Sequence, residues 1–188
     1  MMARKAASNE LTKEMIIEVA DRQFLELDYN KVSMRAIAKE LNCSHGAIYY
    51  HFKDKTELFD AVVEKYFNIL NSELHLALEN EPLVGTKRVL MGYITFGLTY
   101  PSQYDFMFVK RADGLDPLAQ PAPIESYKKF QHTLQSLNNH TLNDADIHST
   151  FMSLHGFVLC YKGRIESLAH IKDAICNHCE YLVRALVR

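Results

Sequence analysis

The chain has 188 residues, 48% of them apolar and 23% charged, with only seven Gly and five Pro, which excludes a fibrous or low-complexity chain and leaves one large globular domain or two small ones. Its 21 basic and 23 acidic residues give a net charge of −2, so bulk charge does not announce a nucleic-acid binder, and any such activity must come from a local surface. No apolar run reaches the roughly 18 residues of a membrane-spanning helix, so no membrane partner is expected. Met1–Glu10 is polar and lacks an apolar signal core. The four cysteines (Cys43, Cys160, Cys176, Cys179) form no evident disulfide framework and read as reduced thiols. These features predict a cytoplasmic protein.

Nearly every long segment has helical period. Ile16, Ala20, Phe24 and Leu27 form one stripe of a helix from about Glu10 to Leu27, broken by Asp28-Tyr29-Asn30. Ser33 can cap a second, short helix with Met34, Ile37, Ala38 and Leu41 on its inner face, and Ser44 can cap a third from His45 to about Phe52. Asp54 with Glu57 has the spacing of a capping box for a long helix from Lys55 to Asn80. Glu81-Pro82 ends it, and Val84 to Tyr100 is the next helix. Pro101 starts another, carrying Tyr104 to Phe108. Arg111 to Pro123, with Gly114 and three prolines, reads as an irregular loop. Helices over about Ile124–Asn138, Asn143–Glu166 and Ser167–Leu186 complete an all-α fold of about nine helices.

Ser33 to Phe52 has the layout of a helix-turn-helix. Ala38 is small where two short helices cross, and Ile37, Leu41, Ile48 and Phe52 can fill their joint core. In that motif the second helix enters the major groove. Here it would be Ser44-His45-Gly46-Ala47-Ile48-Tyr49-Tyr50-His51. Gly46 and Ala47 let a backbone come close, Tyr49, Tyr50 and His51 offer donors to phosphates, and His45 could reach a base edge. Arg35, Lys53 and Lys55 add positive charge on either side. A helix pair with serine caps also occurs as plain architecture, with Tyr49 and Tyr50 as core-edge aromatics. Residues 1–55 hold nine basic and eight acidic residues, a difference too small to decide.

The string YNKVSMRAIAKELNCSHGAIYYHFKDKTELF, Tyr29 to Phe59, resembles the TetR/AcrR family of bacterial transcriptional regulators. Most telling are Gly46, Ile48, Tyr49, Tyr50, His51, Phe52, Lys53, Lys55 and Leu58 in register, and Phe24 upstream also fits. Asp28 and Asn42 stand where glycine is usual, and Asn tolerates the positive φ such a turn asks for. The resemblance implies a DNA-binding domain over residues 10–70, with the helix-turn-helix at 33–52. It implies DNA contacts along the second short helix and phosphate contacts by Ser33, Tyr49, His51 and Lys55. It further implies a helical regulatory and dimerisation domain over 80–188, and a homodimer that represses by binding palindromic double-stranded operator DNA. Tyr93 to Phe108 and Leu154-His155-Gly156 resemble a regulatory-domain subtype with a Trp-His-Gly signature, Leu154 standing in the Trp place.

Met91, Tyr93, Phe96, Tyr100, Tyr104, Met107 and Phe108 concentrate aromatic and thioether side chains, as a packed core or as an apolar pocket for a small apolar or aromatic effector; with His155 they are the expected ligand-facing set. Ile147, Phe151, Leu154 and Val158 form one stripe of the last two helices, and Ile171, Ile175, Leu182 and Leu186 another. Either stripe could face the domain's own core; in the family the corresponding helices meet their copies, and both stripes are expected at the dimer interface. His148 and His155 sit seven apart on one helix, and Cys176 and Cys179 form one CxxC. Either pair alone is weak for a metal or redox site, so no metal and no cofactor are expected. No phosphate-binding glycine loop, Gly-x-Ser-x-Gly elbow or His-Glu-x-x-His helix is present, which argues against an enzyme. A purely structural helical interaction module is the remaining alternative.

Overall fold

The computed structural model describes residues 11–27, 29–110 and 113–186. Among these it has nine α-helices and no strand: α1 (Lys13–Glu26), α2 (Met34–Glu40), α3 (His45–His51), α4 (Lys55–Ala77), α5 (Pro82–Thr99), α6 (Pro101–Tyr104), α7 (Pro121–Leu137), α8 (Asp144–Tyr161) and α9 (Lys172–Leu186). The chain divides into two compact units, Met1–Val62 and Val63–Arg188, with α4 running through the boundary as one helix. Glu10 and Asp28, where the sequence pattern starts and breaks α1, lie outside the described residues, as does Arg111.

In the first unit each helix start is marked by a side-chain cap. Thr12, Ser33 and Ser44 accept the N–H of Met15, Ala36 and Ala47 at 3.3, 3.1 and 3.1 Å. Each such cap contributes about 1 kcal/mol. Asp54 accepts the Glu57 N–H at 2.9 Å while Glu57 accepts the Lys53 N–H, so the expected box at the start of α4 closes one residue further out. α2 ends in a left-handed turn. Asn42 has φ 51°, Cys43 N–H donates to the Ala38 carbonyl, and Asn42 N–H to that of Lys39. This is the Schellman arrangement with Asn in the position glycine usually takes. The core is Ile16, Ala20, Phe24, Ile37, Ile48, Phe52, Leu58 and Phe59, all 3% exposed or less, and Phe24 meets Phe59 edge-on at 5.0 Å.

In the second unit α5 is central and packs against α7, α8 and α9. Two glycines set how closely. A Cβ on Gly97 would lie 2.6 Å from a Val158 methyl, and one on Gly85 2.6 Å from both the Ala77 carbonyl and a Leu137 methyl. After α6 the chain continues into a π-type turn, Asp105–Val109, in which the Lys110 N–H reaches the Asp105 carbonyl at 2.8 Å. The segment expected as loop to Pro123 is more ordered than its prolines suggest. Pro117–Ala119 is a 3-10 turn, and Pro121 opens α7 three residues earlier than expected, since Pro suits a first helical turn. α8 stops at Tyr161, not Glu166, because Gly163 takes φ +69° and turns the chain away. A 3-10 turn, Leu168–Ile171, capped by Ser167, precedes α9.

The α5–α8 approach gives a direct test. Gly97→Ala should lower stability by about 1–3 kcal/mol, because the added methyl must displace both Val158 methyls and the Tyr104 ring edge. Urea denaturation followed by circular dichroism measures it, and an unchanged midpoint would show that the two helices can separate at no cost.

Candidate nucleic-acid interface and regulatory cavity

α3 has seven residues, too few to persist alone in water. It is held at three points along its length: Ser44 caps its start, Ile48 (0% exposed) anchors its middle, and Phe52 (3% exposed) anchors its end. Its other faces are open. His45, Gly46, Tyr49 and Tyr50 are exposed, Tyr50 at 87%, and Ala47 and His51 are half-buried. His45 and Tyr49 meet edge-on at 4.8 Å, and so do Tyr50 and His51 at 5.2 Å. Ser33 and Ser44 are exposed with their oxygens engaged as caps, and each hydroxyl keeps a proton to donate. Arg35 and Lys53 are exposed on the same unit.

Lys55 is different. Its ammonium donates to the carbonyls of Tyr29 and Val32 at 2.9 and 3.2 Å and lies 4.1 Å over the Tyr29 ring. Two of its three donors thus tie the turn before α2 to the start of α4, and the expected phosphate contact would fall to the third. The motif register marked it as a functional position, and only its neighbours show how the charge is used.

Gly46 has a separate significance. It sits in the first turn of α3, without a positive φ, and a Cβ there would meet only the Ser44 hydroxyl at 3.9 Å. Among the described residues nothing needs glycine at this position, although glycine weakens a helix by about 0.5–1 kcal/mol relative to alanine.

In the second unit a cavity of about 360 Å³ lies among α4, α5, α7 and α8. Leu70 and Leu74 of α4, Tyr93 of α5, Phe108 of the π-type turn, and Ile124, Tyr127, Phe130 and Phe151 form most of its wall; Gln131, Lys128 and His148 are its more polar members. Of the expected ligand-facing residues only Tyr93 and Phe108 line it. Met91, Phe96 and Tyr100 line a separate surface groove along α4 and α5. Tyr104 and Met107, at 0% and 1% exposed, are core. His155 lies behind the wall, its Nδ1 2.6 Å from the Tyr104 hydroxyl. The helical stripe was legible, but which of these residues meets the cavity, the groove or the core was set by how the helices pack. The lining residues missed, Tyr127 and Phe130, were visible as an aromatic pair three apart on α7.

The expected dimer stripes are also corrected. Ile147, Leu154, Val158, Ile175, Leu182 and Leu186 are 5% exposed or less within this one chain, Phe151 lines the cavity, and Ile171 is half-buried in the 3-10 turn before α9. Val158 is spent against Gly97. The outward faces of α8 and α9 instead carry Met152 (50% exposed), Gly156, Leu159, Cys160, Tyr181 (68%) and Ala185.

His148 shares its Nδ1 with the Tyr127 hydroxyl at 3.4 Å while His155 bonds Tyr104, so the two histidines serve different tyrosines. Among the described residues no group of three or more His, Cys, Asp or Glu is placed to hold a metal ion. Burial, with Cys176 beside it, pushes the Cys179 thiol up to about 12, away from thiolate reactivity. No described helix is long and apolar enough to cross a membrane.

Residues 16–62 match the model of the family described as "Bacterial regulatory proteins, tetR family". The chain is 27% identical to the HTH-type transcriptional regulator AcrR of Shigella flexneri, over 78% of this chain and 74% of that protein. It is 28% identical to the HTH-type transcriptional repressor Rv1474c of Mycobacterium tuberculosis, over 50% of this chain and 45% of that protein, so it spans less than half the length of that relative. The fold matches a crystal structure of a TetR/AcrR-family transcriptional regulator from Thermobifida fusca with a TM-score of 0.70 at 18% identity, covering 94% of this chain and 98% of that one. The matched residues are those that form the helix-turn-helix, so residues 16–62 carry a TetR-type helix-turn-helix segment, and the chain is similar to bacterial transcriptional regulators.

Proposed function

We propose that the protein is a homodimeric repressor that reads a palindromic operator with α3 and is released by a small apolar or aromatic effector held in the α4–α8 cavity. Gly46 carries the DNA part of this reading. A helix-weakening glycine on an exposed face, with open space where a side chain would go, makes sense where an outside surface must come within backbone distance. Ser33, Arg35, Ser44, His45, Tyr49, Tyr50, His51 and Lys53 surround it as donors for phosphates and base edges. One helix of this length offers too little contact for tight specific binding, whereas two copies about one DNA turn apart, roughly 34–36 Å, suffice. Such a protein acts where the chromosome is, in the cytoplasm.

The outward stripe of Met152, Gly156, Leu159, Tyr181 and Ala185 supports a dimer through α8 and α9, in a register turned from the one the apolar pattern suggests. The resemblance of Leu154-His155-Gly156 to the Trp-His-Gly subtype fits a regulatory second unit. α4 passes from the first unit into the second, where Leu70 and Leu74 line the cavity, so an effector that favours one setting of α4 would bias DNA affinity. Coupling of about 1–3 kcal/mol is typical and corresponds to a 5- to 150-fold change.

Selection of bound sequences from a random duplex pool should return a two-fold symmetric consensus; an asymmetric one would remove the palindrome reading. Gly46→Ala should leave the fold as stable or slightly more so, yet weaken binding to the selected duplex by about 10- to 100-fold. Equal affinity would separate Gly46 from DNA contact. Met152→Glu with Leu159→Glu should convert the dimer to monomers in light scattering with an unchanged helical spectrum. A persisting dimer would place the interface elsewhere. Gln131→Trp, which fills the cavity from its polar side, should abolish saturable binding of the uncharged aromatic probe N-phenyl-1-naphthylamine, read by fluorescence; retained binding would move the effector site.

A further inference from the structure

From Tyr93 in the cavity wall a polar chain runs back, away from the cavity. The Tyr93 hydroxyl lies 2.8 Å from that of Tyr104, which lies 2.6 Å from His155 Nδ1. Tyr93 and Tyr104 are 4% and 0% exposed, and burial holds both phenols protonated, well above their usual range. With His155 neutral and Nδ1 bare, Tyr93 donates to Tyr104 and Tyr104 donates to Nδ1, so two protons serve two bonds in one direction.

Three rings of the cavity wall rest on this chain. Tyr93 is its first member. Phe108 packs 4.7 Å from Tyr104 and 6.0 Å from His155, and Phe151 lies parallel to His155, 11° apart at 6.1 Å. A proton added at His155 Nδ1 makes that nitrogen a donor. Tyr104 must then accept from it and turn its own proton toward Tyr93, whose proton is left without an acceptor in the chain. The nearby charged groups do not offset this. Lys162, at the end of α8, opposes a charge on His155, and Asp105, after α6, is already paired with Lys162. The rings packed on His155, Phe108 and Phe151, are uncharged.

We infer that His155 is a positioning residue of the effector cavity: as a neutral imidazole acting through Tyr104, Phe108 and Phe151, it holds the aromatic wall in the form that takes an uncharged aromatic ligand, and its protonation loosens that wall. The inference rests on the cavity being the effector site. Burial, followed by Lys162, pulls His155 below its ordinary value of 6.5, so the neutral form prevails at neutral pH and ligand affinity falls only on the acid side of that value.

The test is fluorescence titration of the full-length protein with N-phenyl-1-naphthylamine at pH values on either side of the histidine range, with thermal melts to confirm folding. Wild-type affinity should fall about fivefold on acidification, the worth of one buried hydrogen bond. His155→Asn, which keeps an acceptor near the Nδ1 position and takes no proton, should bind like wild type at neutral pH and lose the acid fall. Tyr104→Phe keeps the ring, removes the link, and should bind about fivefold more weakly at neutral pH with a flat pH profile. Wild-type affinity independent of pH, or an acid fall that survives in both variants, overturns the inference. If the wild type binds the probe and Gln131→Trp blocks it, such a result leaves the cavity reading standing. If the wild type shows no saturable binding, the cavity reading fails and this inference with it.

Discussion

A seven-residue helix must be rigid and uncovered at the same time, and the first unit is organised around that demand on α3. Isolated helices of this length melt because nucleation costs more than a few backbone bonds return. The chain answers with a serine cap, a buried Ile48 and Phe52, and a left-handed Asn42 that ends α2 and sets the direction in which α3 starts. These anchors use one face of the helix. The remaining faces, with His45, Gly46, Tyr49 and Tyr50, stay in solvent. Lys55 serves the same end by tying the turn before α2 to the start of α4.

The second unit meets a different constraint. α5 is surrounded by helices, and Gly85 and Gly97 let neighbours approach it to distances that a methyl group would forbid. Tyr93, Phe108, Phe130 and Phe151 crowd around the remaining space and leave an apolar cavity. Tyr93, and Tyr104 behind it, carry buried hydroxyls, and a buried hydroxyl without a partner is costly. His155 ends the resulting chain and so joins the chemistry of the wall to its shape.

Local rules made much of this legible in the residues. Ser33, Ser44 and Asp54 marked three helix starts, Asn42 marked the left-handed turn, and Pro82 and Pro101 fall where helices begin or end. These signals act within a few residues, so a linear reading captures them. The π-type turn at Asp105–Val109 carries no such signal, because its extra residue per turn is accommodated by packing rather than by a special side chain.

By itself the sequence determined the helical class, the helix-turn-helix and its register, since periodicity, caps and turn residues are properties of neighbouring positions. Only the tertiary structure decided which apolar stripe of α8 and α9 faces α5 and which faces outward, which aromatics line the cavity, and that the Lys55 ammonium gives two of its donors to backbone carbonyls. An apolar stripe is the same in sequence whether it meets its own core, a cavity or another chain, and a lysine's three donors do not announce their acceptors; the difference lies in which helices come to lie beside it.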